Sequence, residues 1–356
     1  MMKGYGMFEI DKLGWIEKDI PEVGPFDALM RPLAVAICTS DTHISHGGSG
    51  PMFNVILGHE SVGEVVKVGS HVKNFKPGDV CVVPCCTPDW GEEPLQMRNS
   101  NNAHDAEFIR SFKFILQKDG VFAEYYTVNC ADSNLVLKPE SVSIDDALMA
   151  TDMMSTGFYG AEMADINIGD TVVVFGIGPV GLMSVAGARA RGAARIIAIG
   201  TRPNCIELAK EYGATDIVSY KEGDIVEQIT ALMNGGKVDA AIIAGGDASS
   251  ILQALAIVKP NGAVSNVIAY DVADTFTVPA VAWGLGMSDV TIRSGFCPGG
   301  AYRMKQLLNM IENDRVHPGK MLNYVYEGFD KIPDAFEAMD KKPRDLIKSG
   351  VHISWD

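Results

Sequence analysis

The sequence predicts an α/β protein: a doubly wound parallel sheet in the middle of the chain, joined to a second domain of short strands. Three observations predict it. At 356 residues the chain exceeds what one hydrophobic core usually serves. Its middle reads as strand, glycine turn, helix and second strand. After that unit strands and helices go on alternating, whereas the residues before it show no such alternation.

The first segment, about 1 to 155, consists of short apolar runs broken by turns, among them PLAVAICTSDTH, ILGHESVGEVVKVGS and KPGDVCVVP. It contains Cys38, His59, Glu60 and Asp152, residue types that zinc accepts at tetrahedral sites. Taken singly, each has an ordinary explanation as a buried thiol, a surface histidine beside an acid, or a helix cap. Their spacing does not join them into one site. No C-x-x-C pair is present either, so the tight spacing of a structural zinc knot is missing.

The middle segment, about 156 to 296, opens its first βαβ unit at Asp170 with DTVVVFGIGPVGLMSVAGARARGAARIIAIG. Thr171 to Phe175 is a β-branched run, small and apolar residues then recur at helical spacing, and Arg195 to Ile199 is a second strand. Gly176, Gly178 and Gly181 between them form G-x-G-x-x-G, with Pro179 and Val180 inside the motif. In a dinucleotide site the first glycine permits the turn, the second lets backbone approach the pyrophosphate, and the third lets the helix pack on the sheet. DIVSY, a helix near 223 to 233, VDAAIIAGG, a helix near 248 to 258 and GAVSNVIA extend the alternation, which makes this a Rossmann domain.

The end of the second strand predicts which dinucleotide binds. NAD sites usually place Asp or Glu there for the ribose 2'-hydroxyl. This chain has Gly200, Thr201 and Arg202 instead. No carboxylate repels a 2'-phosphate, and Arg202 offers a planar fork of donors, so NADP is expected.

The last segment, from about 297, carries amphipathic helical patterns in MKQLLNMIEN and IPDAFEAMD and a final short strand. Thirty basic against forty-five acidic residues give a net charge of -15, which disfavours nucleic acid and anionic lipid as partners. Seven scattered cysteines do not form a secreted disulfide scaffold. With no signal-peptide core at the N-terminus and no apolar span of bilayer length, a cytoplasmic protein is expected.

The segments GWIEK, RPLAV, CTSDTH, ILGHE, VGEVVKVGS, TPDWGEE, DGVFAEY, TGFYGAE, GIGPVGLM, YGATDI, CPGG and KPRDLIK occur in order along nearly the whole chain. In them the sequence resembles the zinc-dependent medium-chain alcohol dehydrogenases, and within these the tetrameric NADP-dependent secondary alcohol dehydrogenases of anaerobic microbes. The resemblance implies a homotetramer with a discontinuous, mainly β GroES-like catalytic domain, residues 1–155 and 297–356, around the Rossmann domain at 156–296. It implies that Cys38, His59 and Asp152 bind the catalytic zinc, with Glu60 a ligand or neighbour that comes and goes. Ser40 would hydrogen-bond the alcohol and His43 would carry its proton toward solvent, while Thr201 and Tyr220 would touch the adenosine phosphate end. The implied reaction is reversible hydride transfer between NADP and secondary, and some primary, alcohols, giving ketones or aldehydes.

Two rivals differ by their residues. A zinc-free quinone-reductase-like enzyme would lack the ligand set, and a non-catalytic NADPH-binding protein would keep the glycine loop while losing ligands or relay. The chain departs from its relatives at Phe112, where tryptophan is usual, at Ala269, where tyrosine is usual unless Tyr270 takes that place, and at Phe296, where leucine is usual. These changes predict a reshaped pocket that accepts ketones longer or bulkier than acetone.

Overall fold

A computed structural model describes residues 1–91, 95, 111–270 and 275–355. The last residues of the Asn266 to Asp274 loop, and the two glutamates of TPDWGEE, therefore lie outside the described residues. The chain divides into two compact units, Thr156–Phe296 and a unit made of Met1–Ser155 with Cys297–Asp356.

The unit Thr156–Phe296 is built on a six-stranded parallel sheet. Across the sheet the strands run Asp216–Val218, Arg195–Ile199, Thr171–Phe175, Val238–Ile243, Val258–Asn266 and Thr291–Ser294. In chain order this is 3-2-1-4-5-6, the doubly wound arrangement of dinucleotide-binding folds. Its inner strands are near-continuous Val, Ile and Ala because helices cover both faces. Val173, Phe175, Ile197, Ile199, Ala241 and Ile243 are buried in one cluster with Ile229 and Leu255 of the covering helices. The strand order reverses at Thr171–Phe175 and Val238–Ile243, and ligands of such sheets bind beyond the carboxyl ends of the strands at that point.

The other unit contains a mixed sheet whose order is Leu322–Glu327, Lys348–His352, Ala28–Ile37, Glu60–Val68, Val80–Val83 and Val136–Leu137, with Tyr126–Val128 also pairing Ala28–Ile37. A second sheet joins Lys12–Lys18, Met2–Glu9 and Val55–Ile56. Strand pairing, rather than sequence neighbourhood, assembles the site. Ala28–Ile37 lies between two antiparallel partners, with Ala36 opposite Glu60 on one side and Ile37 opposite Ser349 on the other. Cys38, Glu60 and Lys348 thereby arrive at one end of the sheet from three distant parts of the chain.

Candidate metal centre and nucleotide site

Cys38 follows the strand Ala28–Ile37 and caps the helix Thr39–Ser45. Its backbone N–H donates to Asp41 Oδ2 at 2.9 Å. Asp41 is fully buried and also accepts from Gly58 N–H at 3.2 Å and His59 Nδ1 at 3.1 Å. An acid that accepts at Nδ1 fixes the proton there and leaves Nε2 as the ligand nitrogen. Nε2 points at Asp152 Oδ2, 3.5 Å away.

Asp152 comes from a five-residue π-helical turn, Ala150–Met154, set between the helices Ile144–Met149 and Ser155–Met163. Such turns widen a helix locally and recur at functional sites. This one is held from outside, since Cys85 N–H donates to the Thr151 carbonyl at 3.1 Å. Within the turn, the Thr151 hydroxyl donates to the Leu148 carbonyl at 2.7 Å.

The result is a buried quartet: one ligand atom each from Cys38, His59, Glu60 and Asp152, all within 4.8 Å of one another. Sulfur, imidazole and carboxylate in this number suit zinc. The charges agree. Burial disfavours charge on His59, but Asp41, Asp152 and Cys38 outweigh it and push its pKa well up, so the surroundings call for positive charge at their centre. Burial raises the Glu60 carboxyl to about 7 against the opposing pull of Lys348, with Asp152 adding to the rise. Lys348 Nζ donates to Glu60 Oε1 at 2.5 Å, whereas Glu60 Oε2 is buried with no hydrogen-bond partner among the described residues. An orphaned buried carboxylate oxygen beside three other donors is what a bound cation would satisfy.

Around the quartet, the Cys38 thiol lies 3.4 Å from the exposed Ser40 hydroxyl. His43 is one turn further along the same helix, exposed, with its ring against Gly48. Phe112 is buried and packs edge-on against the His59 ring, centroids 4.9 Å apart. Ala269 and Phe296 belong to the other unit, where Ala269 is exposed and Phe296 half-buried. Beside Ala269, Tyr270 donates to Asn266 Oδ1 at 3.0 Å and packs on Phe276.

In the unit Thr156–Phe296, a cavity of about 480 Å³ opens at the carboxyl ends of the strands, lined by Gly176, Ile177, Gly178, Gly200, Thr201, Arg202 and Tyr220 on one side and Gly245, Asp247 and Gln253 on the other. Gly176 has φ of +80°, and a Cβ on Gly181 would stand 1.8 Å from the Gly176 carbonyl oxygen, so neither position admits a side chain. Gly178 caps the helix Pro179–Ala190, which Pro179 and Val180 begin. A Cβ there would meet only Arg202 Nη2, at 3.6 Å, leaving open space where a pyrophosphate would sit at the helix N-terminus. The Thr201 hydroxyl donates to Tyr220 OH at 2.9 Å, joining two of the expected adenosine-phosphate contacts.

Gly200 lines the cavity, and a Cβ on it would stand 2.2 Å from Ile177 Cγ1, so a side chain placed there would displace Ile177. Sequence reasoning also missed Asp41, Lys348 and Asp247. Asp41 had a local signal, an acid at the third helical position after its cap. Lys348 had none, because only strand pairing takes it to Glu60.

Comparisons with known proteins agree with this geometry. Residues 179–313 match the family described as zinc-binding dehydrogenase, and residues 24–140 match the alcohol dehydrogenase GroES-like domain. The NADP-dependent isopropanol dehydrogenase of Thermoanaerobacter brockii is 53% identical over 99% of this chain and 100% of its own length. That of Clostridium beijerinckii is 51% identical over 98% of this chain and 99% of its own. Among solved structures, zinc dependent alcohol dehydrogenase 2 from Streptococcus pneumonia superposes with a TM-score of 0.89 at 25% identity, covering 100% of this chain and 99% of its own. With relatives of this identity along nearly its whole length, the chain belongs to the zinc-dependent medium-chain alcohol dehydrogenases.

Proposed function

We propose that the protein interconverts secondary alcohols and ketones, and some primary alcohols and aldehydes, using NADP and zinc. The single observation that carries this reading is the buried quartet of Cys38, His59, Glu60 and Asp152. The isopropanol dehydrogenases that it resembles supply the alcohol class and the nucleotide.

When bound, zinc polarises the substrate oxygen and NADP exchanges a hydride with the substrate carbon. Cys38, His59 and Asp152 would hold the metal, and Asp41 keeps the His59 tautomer that ligation requires. Glu60 is tethered through one oxygen to Lys348 while its other oxygen has no partner among the described residues, so it would serve as a ligand that substrate can displace. Ser40 holds the hydroxyl proton and passes it toward His43 and solvent. Phe112 forms an apolar wall against His59 that excludes water on that side. Gly176, Gly178 and the helix that begins at Pro179 bind the pyrophosphate, while Arg202, Thr201 and Tyr220 bind the 2'-phosphate end. Complete donors count against the zinc-free quinone-reductase-like alternative and against a non-catalytic NADPH-binding protein.

We place the enzyme in the cytoplasm, a reading that seven cysteines joined by no disulfide support. Among the described residues no helix is long and apolar enough to cross a membrane. We also propose a homotetramer. The sheet edge Thr291–Ser294 is exposed along its length, and Val281, Leu285 and Met287 nearby are 81%, 64% and 77% exposed, which suits pairing with the same edge of a second copy. Sedimentation would read the mass, and a monomer or dimer would refute the tetramer.

The function is tested by measuring zinc in the purified protein and NADPH and NADH oxidation with acetone and acetaldehyde. One zinc per chain with turnover that prefers NADPH is expected. A protein that binds no zinc, or turns over neither substrate, would refute the reading.

A further inference from the structure

Against the quartet lies a second group of donors that this reaction does not use. Cys85 and Cys86 follow the strand Val80–Val83, Cys297 opens the returning segment, and all three are fully buried thiols. Cys85 and Cys297 pack on the same π turn that carries Asp152. Cys85 binds the Thr151 carbonyl through its backbone, and Cys297 Sγ lies 3.9 Å from the Asp152 carbonyl.

The spacing of their ligand atoms fits coordination. Cys85 Sγ, Cys297 Sγ and an Asp152 carboxylate oxygen lie within 4.8 Å of one another, and Cys86 Sγ is 4.0 Å from Cys85 Sγ. A tetrahedral metal with sulfur bonds of about 2.3 Å holds its sulfurs about 3.8 Å apart. The thiols therefore need to move only slightly to close on an ion. Sulfur donors in a dry pocket select soft cations such as Cu(I) or Cd(II) over magnesium or calcium.

We propose that Cys85 and Cys297, with Asp152 and with Cys86 in reach, form a second metal site for a soft, thiophilic cation, and that its occupation inhibits the enzyme. Each cysteine that ligates releases its thiol proton to solvent, and nothing is oxidised or reduced. The site itself stands on the thiol geometry. The inhibition rests on the reading that Asp152 serves the catalytic zinc, because one carboxylate is drawn into both donor sets.

The probe is cadmium added to the zinc-loaded enzyme. Zinc and cadmium per chain are counted after gel filtration, sulfur-to-cadmium charge-transfer absorbance is recorded, and alcohol oxidation is followed in parallel. The wild type should keep its zinc, take up one further cadmium with the absorbance, and lose activity at least tenfold. Cys85→Ala and Cys297→Ala should keep zinc, take up no cadmium and become insensitive to it. Cys297→Ser, closer in volume to cysteine, checks the alanine variants for effects of an added cavity. Cadmium that replaces zinc one for one, or that binds the variants as it binds the wild type, would overturn the site. Uptake of the extra cadmium with undiminished activity would overturn the inhibition. An enzyme that holds no zinc at the outset would instead refute the function proposed above.

Discussion

Lys348 and Glu60 form an ion pair of 2.5 Å in which neither side chain is more than 1% exposed, and one Glu60 oxygen, Oε2, has no partner among the described residues. A buried pair of this kind contributes little net stability, but breaking it leaves a charge uncompensated. Burial works against charge on Lys348, and the neighbouring Glu60 more than restores it, holding the lysine pKa above its usual range. The lysine therefore acts as a fixed tether that aims the carboxylate.

Lys348→Met should destabilise the protein by about 3–5 kcal/mol, since it strands Glu60. The double variant Lys348→Met with Glu60→Gln should recover a large part of that loss. Urea unfolding of both variants checks this, and a double variant no more stable than the single one would show that the pair is not the source.

Cys38→Ser or His59→Ala should remove zinc and lower alcohol oxidation by at least about a thousandfold, because several kcal/mol of charge stabilisation disappears. NADPH binding should remain nearly intact, since the nucleotide cavity is built from Thr156–Phe296 alone. Asp41→Ala keeps every proposed ligand and should weaken zinc affinity about 10–100-fold through loss of the His59 partner. Competition with a zinc chelator gives the affinity. Full activity in a zinc-free Cys38→Ser protein would remove the metal assignment.

Arg202→Ala should weaken NADP binding by about 1.5–3 kcal/mol, roughly 10–150-fold, and leave NAD binding nearly unchanged. Adding Gly200→Asp should bring little NAD preference and a loss of thermal stability, because its Cβ overlaps Ile177. Nucleotide titrations and melting curves separate the two effects. Unchanged NADP affinity in Arg202→Ala would put the 2'-phosphate elsewhere.

Phe112→Trp should lower kcat/KM for 2-octanone about tenfold or more relative to acetone, since a single methylene in an apolar pocket is worth about 1–3 kcal/mol. Phe112 is the residue to change because its ring meets His59 directly. A series from acetone to 2-octanone on both proteins tests it. If the wild type handles longer ketones no better than acetone, and the variant does not selectively lose them, Phe112 does not set chain length.

His352 predicts a pH dependence away from the metal. It binds Asp145 at 2.7 Å and faces Glu327 at 3.3 Å, and these partners raise its pKa against the opposing effect of burial. Because the folded-state pKa lies above the unfolded one, the stability that the contact gives is complete below about pH 6.5 and is lost as pH rises through the raised value. His352→Asn should cost about 0.5–1 kcal/mol at pH 5.5 and almost nothing by about pH 9. Equal losses at both pH values would contradict this.

What the sequence made legible follows how far apart the cooperating residues lie. The glycine turn and the strands on either side of it are contiguous, so residues 171 to 199 reveal a Rossmann unit by themselves, and the strand order bears out the doubly wound sheet. The quartet is different. Cys38, His59 and Asp152 meet through the register of two strands and through a π turn, neither of which periodicity can show, so only resemblance could join them. Asp41 and Lys348 escaped because a buried acid or lysine in sequence looks like a solvated one. The tightness around Gly200 was hidden as well, because it comes from Ile177, a neighbour visible only in three dimensions.

The π turn at Ala150–Met154 makes the metal centre sensitive to chain length as well as to composition. An α-helix turns about 100° per residue, and a π turn holds one residue more than the α-helix around it needs. Deleting a single residue from this stretch would let the helix close up regularly and swing the carboxylate of Asp152 to another face, with every proposed ligand still encoded. Frame-preserving deletions in this stretch are therefore a route by which a lineage could keep the fold and the nucleotide cavity while losing zinc, and with it the reaction, in one genetic event.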